Sequence, residues 1–239
     1  MEEISFKERV KNVAISEAKN YKKNYVDYEY LVCSSAFVTK DYYIVDAKED
    51  NYQHLIGVHS LINPQLFFEK CFNETLKEED FDFIKKKQTV KSVKGSVREK
   101  IKVLSNAMNL FNENIKVEET FLKNRVTCSF ATADDKCTLG FINTSKSRPM
   151  SLLKGNELHV NKVKDISLLM RKKMGKEKFD EILIGDSKMI MTYYEKIKEH
   201  IDISITLSNQ EMQEVKNMAK DIASTTEFPK EIKNVQASD

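Results

Sequence analysis

The stretch RVTCSFATADDKCTLGFI (125–142) constrains the fold more than any other part of the chain. Two runs of alternating apolar and polar residues flank the turn formers Ala133-Asp134-Asp135. A period of two on both sides of a tight turn predicts a β-hairpin. Alternation places Val126, Cys128 and Phe130 on one face of the first strand and Thr127, Ser129 and Ala131 on the other. On the second strand Cys137, Leu139 and Phe141 share a face, opposite Lys136, Thr138, Gly140 and Ile142. PMSLL (149–153) supplies a third short strand, with Ser151 alternating against Met150 and Leu152. One side of this sheet is apolar and should pack on helices. The other gathers Thr127, Ser129, Lys136, Thr138 and Ser151, either as an ordinary wet face or as a hydroxyl-and-lysine platform for a phosphodiester.

The helices come from apolar residues at helical spacing. Residues 4–22 carry an imperfect pattern, and Pro64 opens QLFFEKCFNETL at a favoured first-turn position. In SVREKIKVLSNAMNLF (96–111), Val97, Ile101, Leu104, Met108 and Phe111 form one stripe, and Ser96 with Glu99 form a capping box. Ile190, Tyr194, Ile197 and Ile201 make a later stripe, followed by Met212, Val215, Ala219 and Ile222 behind SNQE (208–211). DYEYLVCSSAFV (27–38) and YYIVDA (42–47) are aromatic and β-branched, as expected of a strand pair. The sum is an α+β fold, helices packed on an antiparallel sheet with additional helices at the C-terminus.

With six Gly and three Pro in 239 residues, no linker separates domains, and a hydrophobic fraction of 41% is enough for a globular core. No apolar run approaches a membrane span, and MEEISFKERVKN lacks the features of a signal peptide, so the expectation is a cytoplasmic protein. Cys33, Cys71, Cys128 and Cys137 are scattered, which suits reduced thiols rather than a zinc cluster. Charge is uneven: in FIKKKQTVKSVKGSVREK (83–100), Lys85, Lys86, Lys87, Lys91, Lys94, Arg98 and Lys100 face the single acid Glu99. RKKMGKEK (171–178) is a second basic run. Such runs are often solvated loops; two of them also suit a polyanion such as nucleic acid.

Glycine loops for nucleotides are absent, as are HExxH and GxSxG. FDEILIGDSK (179–188) ends in Asp186-x-Lys188, similar to the (D/E)xK end of metal-dependent DNA nucleases, with Asp165 or Asp180 as the further metal ligand. NYQHLIGVHS (51–60) holds two of the four histidines, His54 and His59. Five residues apart, they diverge by about 140° on a helix and lie on opposite faces of a strand. Only a bend at Gly57 could unite them. One of them can serve as a proton-transfer group near neutral pH; His159 and His200 are expected at the surface.

The order HLIGV (54–58), the FFEKC helix, the 96–111 helix, KCTLGFI (136–142), RPMSLL (148–153) and KEKFDEIL (176–183) resembles a phage- and mobile-element-associated branch of the barnase–EndoU–colicin–RelE-like nuclease superfamily. The resemblance covers roughly 45–190, implying a nuclease domain there, an N-terminal extension over 1–44 and a helical extension over 191–239. It implies N-terminal helices on a curved antiparallel β-sheet and metal-independent RNA cleavage by 2′-hydroxyl attack, without a cofactor. His54 matches the motif histidine and is expected as general base or acid. Lys136 is expected to stabilise charge and Thr138 to position phosphate. Arg148 and Ser151, with Thr127, Lys85, Lys86 and Lys87, are expected to bind substrate. Ile56 stands where the family often has a small hydroxyl. The expected partners are RNA and, for a toxin, a neutralising protein. Two alternatives remain: a catalytically inactive RNA- or protein-binding module on the same scaffold, and the metal-dependent DNA nuclease.

Overall fold

In the computed structural model, residues 4–112, 115–123 and 126–205 are described. Helix α1 (Phe6–Tyr21) runs through a π-helical turn into the antiparallel pair β1 (Tyr28–Cys33) and β2 (Tyr43–Asp46). Then come the short helix α2 (Tyr52–Ile56), β3 (His59–Ser60), α3 (Pro64–Phe72), β4 (Phe81–Asp82) and the long helix α4 (Val90–Met108). Strands β5 (Lys116–Glu119), β6 (Leu122–Lys123), β7 (Val126–Thr127), β8 (Phe130–Ala133), β9 (Cys137–Asn143) and β10 (Ser147–Lys154) follow. Strands β11 (Lys164–Asp165), β12 (Leu168–Lys173) and β13 (Glu181–Ile184) precede helix α5 (Ser187–Ile197). Nine of these strands form one curled sheet in the order β11-β5-β8-β9-β10-β2-β1-β12-β13. Every pairing is antiparallel except β10 with β2, which meet in parallel at Ser147 and Val45. The α+β expectation holds.

Helix α4 begins earlier than its capping-box pattern predicts. Thr89 caps it, accepting from Ser92 N at 3.2 Å, because Val93 already lies on the apolar stripe and Gly95 does not interrupt it. Ser96 is therefore inside the helix, and Glu99 pairs with Lys102 and Lys154. Val93, Val97, Leu104, Ala107 and Met108 are buried against the sheet and α1. Stacked rings bind the two layers: Phe130 and Phe141 are 4.6 Å apart, and Phe111 continues the stack at 5.9 Å. Such pairs add to simple area burial.

The hairpin at Ala133–Cys137 is present, with Asp134 closing the turn through Lys136 N and Cys137 N. Its face assignment needs correcting. The first strand breaks into β7 and β8 at Cys128-Ser129, so Phe130 faces the main core while Cys128 faces away from it. The opposite face is not simply wet. Phe121, Cys128, Ala131, Ala133 and Leu158 form a second small core there, joined by Leu153. The covering residues Phe121 and Leu158 come from segments outside the hairpin, which alternation within the hairpin cannot reveal.

Residues expected as an N-terminal extension are part of this architecture: Val10, Ala14, Ala18 and Tyr21 of α1 lie in the main core, and β1 and β2 lie inside the sheet. Residues 4–202 belong to one compact unit, and beyond it only the turn Ile203–Ile205 is described. The 212–222 helix lies outside the described residues. Ile190, Ile197 and Ile201 of the earlier stripe are buried. All four cysteines are buried thiols, and no described helix is long and apolar enough to cross a membrane.

Candidate functional site

The site begins with a glycine. Helix α2 ends at Gly57, whose φ of 87° lies in the left-handed region that closes helices and disfavours side chains. A Cβ there would lie 2.8 Å from Cδ and 3.2 Å from Nζ of Lys100, so the missing side chain makes room for a lysine from α4. Lys100 uses that room to donate from Nζ to the His54 carbonyl at 2.8 Å, satisfying a C-terminal carbonyl of α2.

This lysine lines a cleft of about 640 Å³ together with Lys85, Lys87, Ser92, Ser96 and Ser151. The side chain is half-buried. Burial first, and then the neighbouring Lys85 charge, push its pKa down from 10.5 to about 7. Burial lowers Lys85 as well. In the sheet β10 pairs in register with β2 at Ser147 and Val45, and α2 and α4 pack against β10. Pro149, which has no N–H to give, coincides with a register shift between itself and Ser151. Beyond that bulge, Ser151 and Leu153 line the cleft.

An adjoining hollow of about 600 Å³ holds the exposed His54 ring together with His59, Lys85 and Lys86. Lys85 lines both. Burial, then Lys100 and Lys85, lower the His54 pKa, with Asp50 opposing, which favours the neutral imidazole. The bend at Gly57 thus brings both histidines to one hollow, though not to one partner: His59 Nδ1 pairs with Asp82 Oδ1 at 2.9 Å.

Of the expected residues, the fold brings together His54, Ser151, Lys85, Lys86 and Lys87 around these two hollows. Lys136 and Thr138 line neither. Lys136 is exposed on the β8–β9 turn. Thr138 is fully buried, its hydroxyl donating to Gly155 O and accepting from Glu157 N, both at 2.8 Å. With both bonding roles occupied, that hydroxyl orders the chain after β10 and cannot reach a phosphate. Thr127 is exposed on the β6–β7 ribbon, next to Val126 on the cleft wall. Arg148 is half-buried opposite Ile142 and lines neither hollow. Lys100, seen in the sequence only as one charge in a basic run, is the residue that was missed.

The remaining candidates have structural explanations. Asp186 of the D-x-K segment caps α5, accepting from Met189 N at 3.0 Å. His159 supports the fully buried Glu118 carboxylate at 2.8 Å, rather than standing alone at the surface. His200 Nε2 lies 2.6 Å from the Tyr42 hydroxyl. Among the described residues no three His, Cys, Asp or Glu side chains cluster to hold a metal. Ile56, which stands where the resemblance places a small hydroxyl, is wholly buried in the main core and serves packing.

An α+β scaffold with lysines lining a cleft and a histidine in the hollow beside it defines a class of protein built to handle an anionic substrate. The particular family follows from comparison: the profile of the phage-Barnase-EndoU-ColicinE5/D-RelE like nuclease family, number 4, matches residues 16–234. The chain belongs to this nuclease family. The match takes in both ends that the 45–190 resemblance left out. Comparisons with curated proteins and with solved structures gave no match.

Proposed function

We propose that the chain is a metal-independent endoribonuclease that cleaves RNA by attack of the ribose 2′-hydroxyl. The observation that carries this reading is the Lys100 ammonium, set near neutral pKa in a cationic cleft that Ser151 also lines, with the His54 ring in the adjoining hollow. A general acid works best when its pKa lies near the working pH.

The mechanism assigns each group one task. With the scissile phosphate against Lys85, which the two hollows share, neutral His54 takes the 2′-hydroxyl proton. The O2′–P bond forms as the P–O5′ bond breaks, and Lys100 gives its proton to the departing O5′. The products are a 2′,3′-cyclic phosphate and a 5′-hydroxyl. Lys85 and Lys87 offset the charge building on the phosphorane, and the Ser151 hydroxyl donates to a non-bridging oxygen. Lys86 engages a neighbouring phosphate and Arg148 a more distant one. Family membership and the phage, colicin and RelE relationships in the family's description support a role in phage or mobile-element conflict. A neutralising protein and a cytoplasmic site of action accompany that role.

Mixed RNA incubated with the purified protein in EDTA tests the reading, beside His54→Ala, Lys100→Met and Lys136→Ala. Cleavage that survives chelation and falls about 10²-fold or more in the first two variants supports it, given the usual size of general acid–base effects. Cutting restored only by magnesium or manganese, or binding of RNA without cutting, overturns it.

A further inference from the structure

The hollow beside the cleft contains more than the chemistry above uses. Val58, Ile62, Pro64 and Ile84 line it, and Ile84 is 63% exposed although lysines flank it. An aliphatic surface held open to water beside cationic residues is suited to a partner that is apolar on its faces and anionic at its edge. The His59 ring is half-exposed, yet its bond to Asp82 across the β3–β4 ribbon holds it in place as a flat surface. Gln53 also lines the hollow, and a carboxamide can both donate to and accept from the edge of a base.

We propose that this hollow is a nucleobase subsite that sets sequence preference. The base next to the scissile phosphate stacks on His59 between Val58 and Ile84, and the Gln53 carboxamide reads its edge. Lys85 and Lys86 take the phosphates on either side. An RNA base is the occupant because the hollow continues into the cleft through Lys85 and its charged rim is cationic. Bases stacked on side-chain rings and read at their edges are the usual mode of single-stranded RNA recognition. This subsite rests on the endoribonuclease reading and gives His59 a part in recognition rather than in proton transfer.

The test uses the full chain and four fluorescein-labelled 2′-O-methyl decamers, all-A, all-C, all-G and all-U, whose blocked 2′-oxygens prevent cleavage. Fluorescence anisotropy in EDTA is expected to show one base preferred. His59→Ala should weaken the preferred decamer by about tenfold or more, in line with base–aromatic stacking. His59→Phe should restore binding, since it keeps the flat ring. Gln53→Ala should level the four affinities. Ile84→Glu, at a solvent-exposed position that the fold does not depend on, should weaken all four, and it decides the matter if His59→Ala does not fold. Equal affinities in the wild type, or unchanged affinity and preference in the folded variants, overturn the subsite while RNA cleavage by the wild type still stands. A wild type that neither binds a decamer nor cuts RNA overturns both.

Discussion

Lys100 lies on α4 where the apolar stripe calls for a core residue, three after Val97 and four before Leu104. A lysine in that register is the signal that could have singled it out, since a solvated lysine belongs on the other face. The basic run around it hid this, because seven cations in eighteen residues read as one patch. Its lowered pKa has a stability consequence with a definite sign. Between about 7 and 10.5 the unfolded chain binds the proton that folded Lys100 has lost, so stability rises with pH across that window. Below about 7 the whole cost of the buried charge is present. Lys100→Met should therefore be more stable than wild type at pH 6, with the advantage shrinking toward pH 10, as read from urea midpoints at both pH values. A gap that does not change with pH contradicts the burial of this charge. Gly57→Ala should cost about 1–2 kcal/mol from left-handed strain alone. It should also displace Lys100, so that cleavage falls more than stability explains, measured per folded molecule.

At the scale of elements, helices and hairpins were legible, and their faces less so. Pro64, the 133–135 turn and the late isoleucine stripe predicted α3, the β8–β9 hairpin and α5 because each is a local signal. Lys136 and Thr138 fell outside the cleft for a non-local reason. The second core of Phe121 and Leu158 covers their side of the sheet, and Gly155 and Glu157 from the chain after β10 occupy the Thr138 hydroxyl. Ser151 was placed in the cleft by the β10 bulge, on a strand whose sequence signal was plain. Thr138→Val should then lower stability by about 1–3 kcal/mol, the cost of leaving the Glu157 N–H and the Gly155 carbonyl without their partner. The rate of RNA cleavage per folded molecule should stay within a factor of about two, as expected of a group outside the reacting atoms. A hundredfold loss in a fully folded variant would return Thr138 to the chemistry.

Across the whole molecule, buried carboxylates tie distant elements together and set the acid limit of the fold. Burial alone would raise Glu29, but Lys146 from the β9–β10 turn and Lys172 of β12 hold it below its usual range. Glu119 is likewise held down against burial by Thr39, Val38 N and Tyr43, and Asp80 by Lys70 and Lys77. A carboxylate with a depressed folded pKa stabilises above its unfolded value and loses that contribution as pH falls through the folded one. The melting temperature should decline as pH drops below about 4.5, where unfolded carboxylates take up protons first. Glu29→Gln should flatten part of that decline and lower stability at pH 7; an unchanged slope contradicts the role given to Glu29. The lysines in these pairs also explain why the second basic run is less available to nucleic acid than its sequence suggests: Arg171 is engaged by Glu181, Lys172 by Glu29 and Lys176 by Asp180. The cleft cations Lys85 and Lys87 have no such carboxylate partner among the ion pairs of the described residues.

The most direct measurement is the pH dependence of kcat/KM for RNA cleavage in EDTA, wild type beside Lys100→Arg. His54 lowered below its ordinary range as base and Lys100 at about 7 as acid predict a bell with its maximum below neutrality. Its alkaline limb should fall with an apparent pKa of about 7 and disappear in Lys100→Arg, which stays charged throughout and cleaves more slowly at its best pH. An alkaline limb unchanged by the substitution contradicts the assignment of Lys100 as the group that protonates the leaving oxygen.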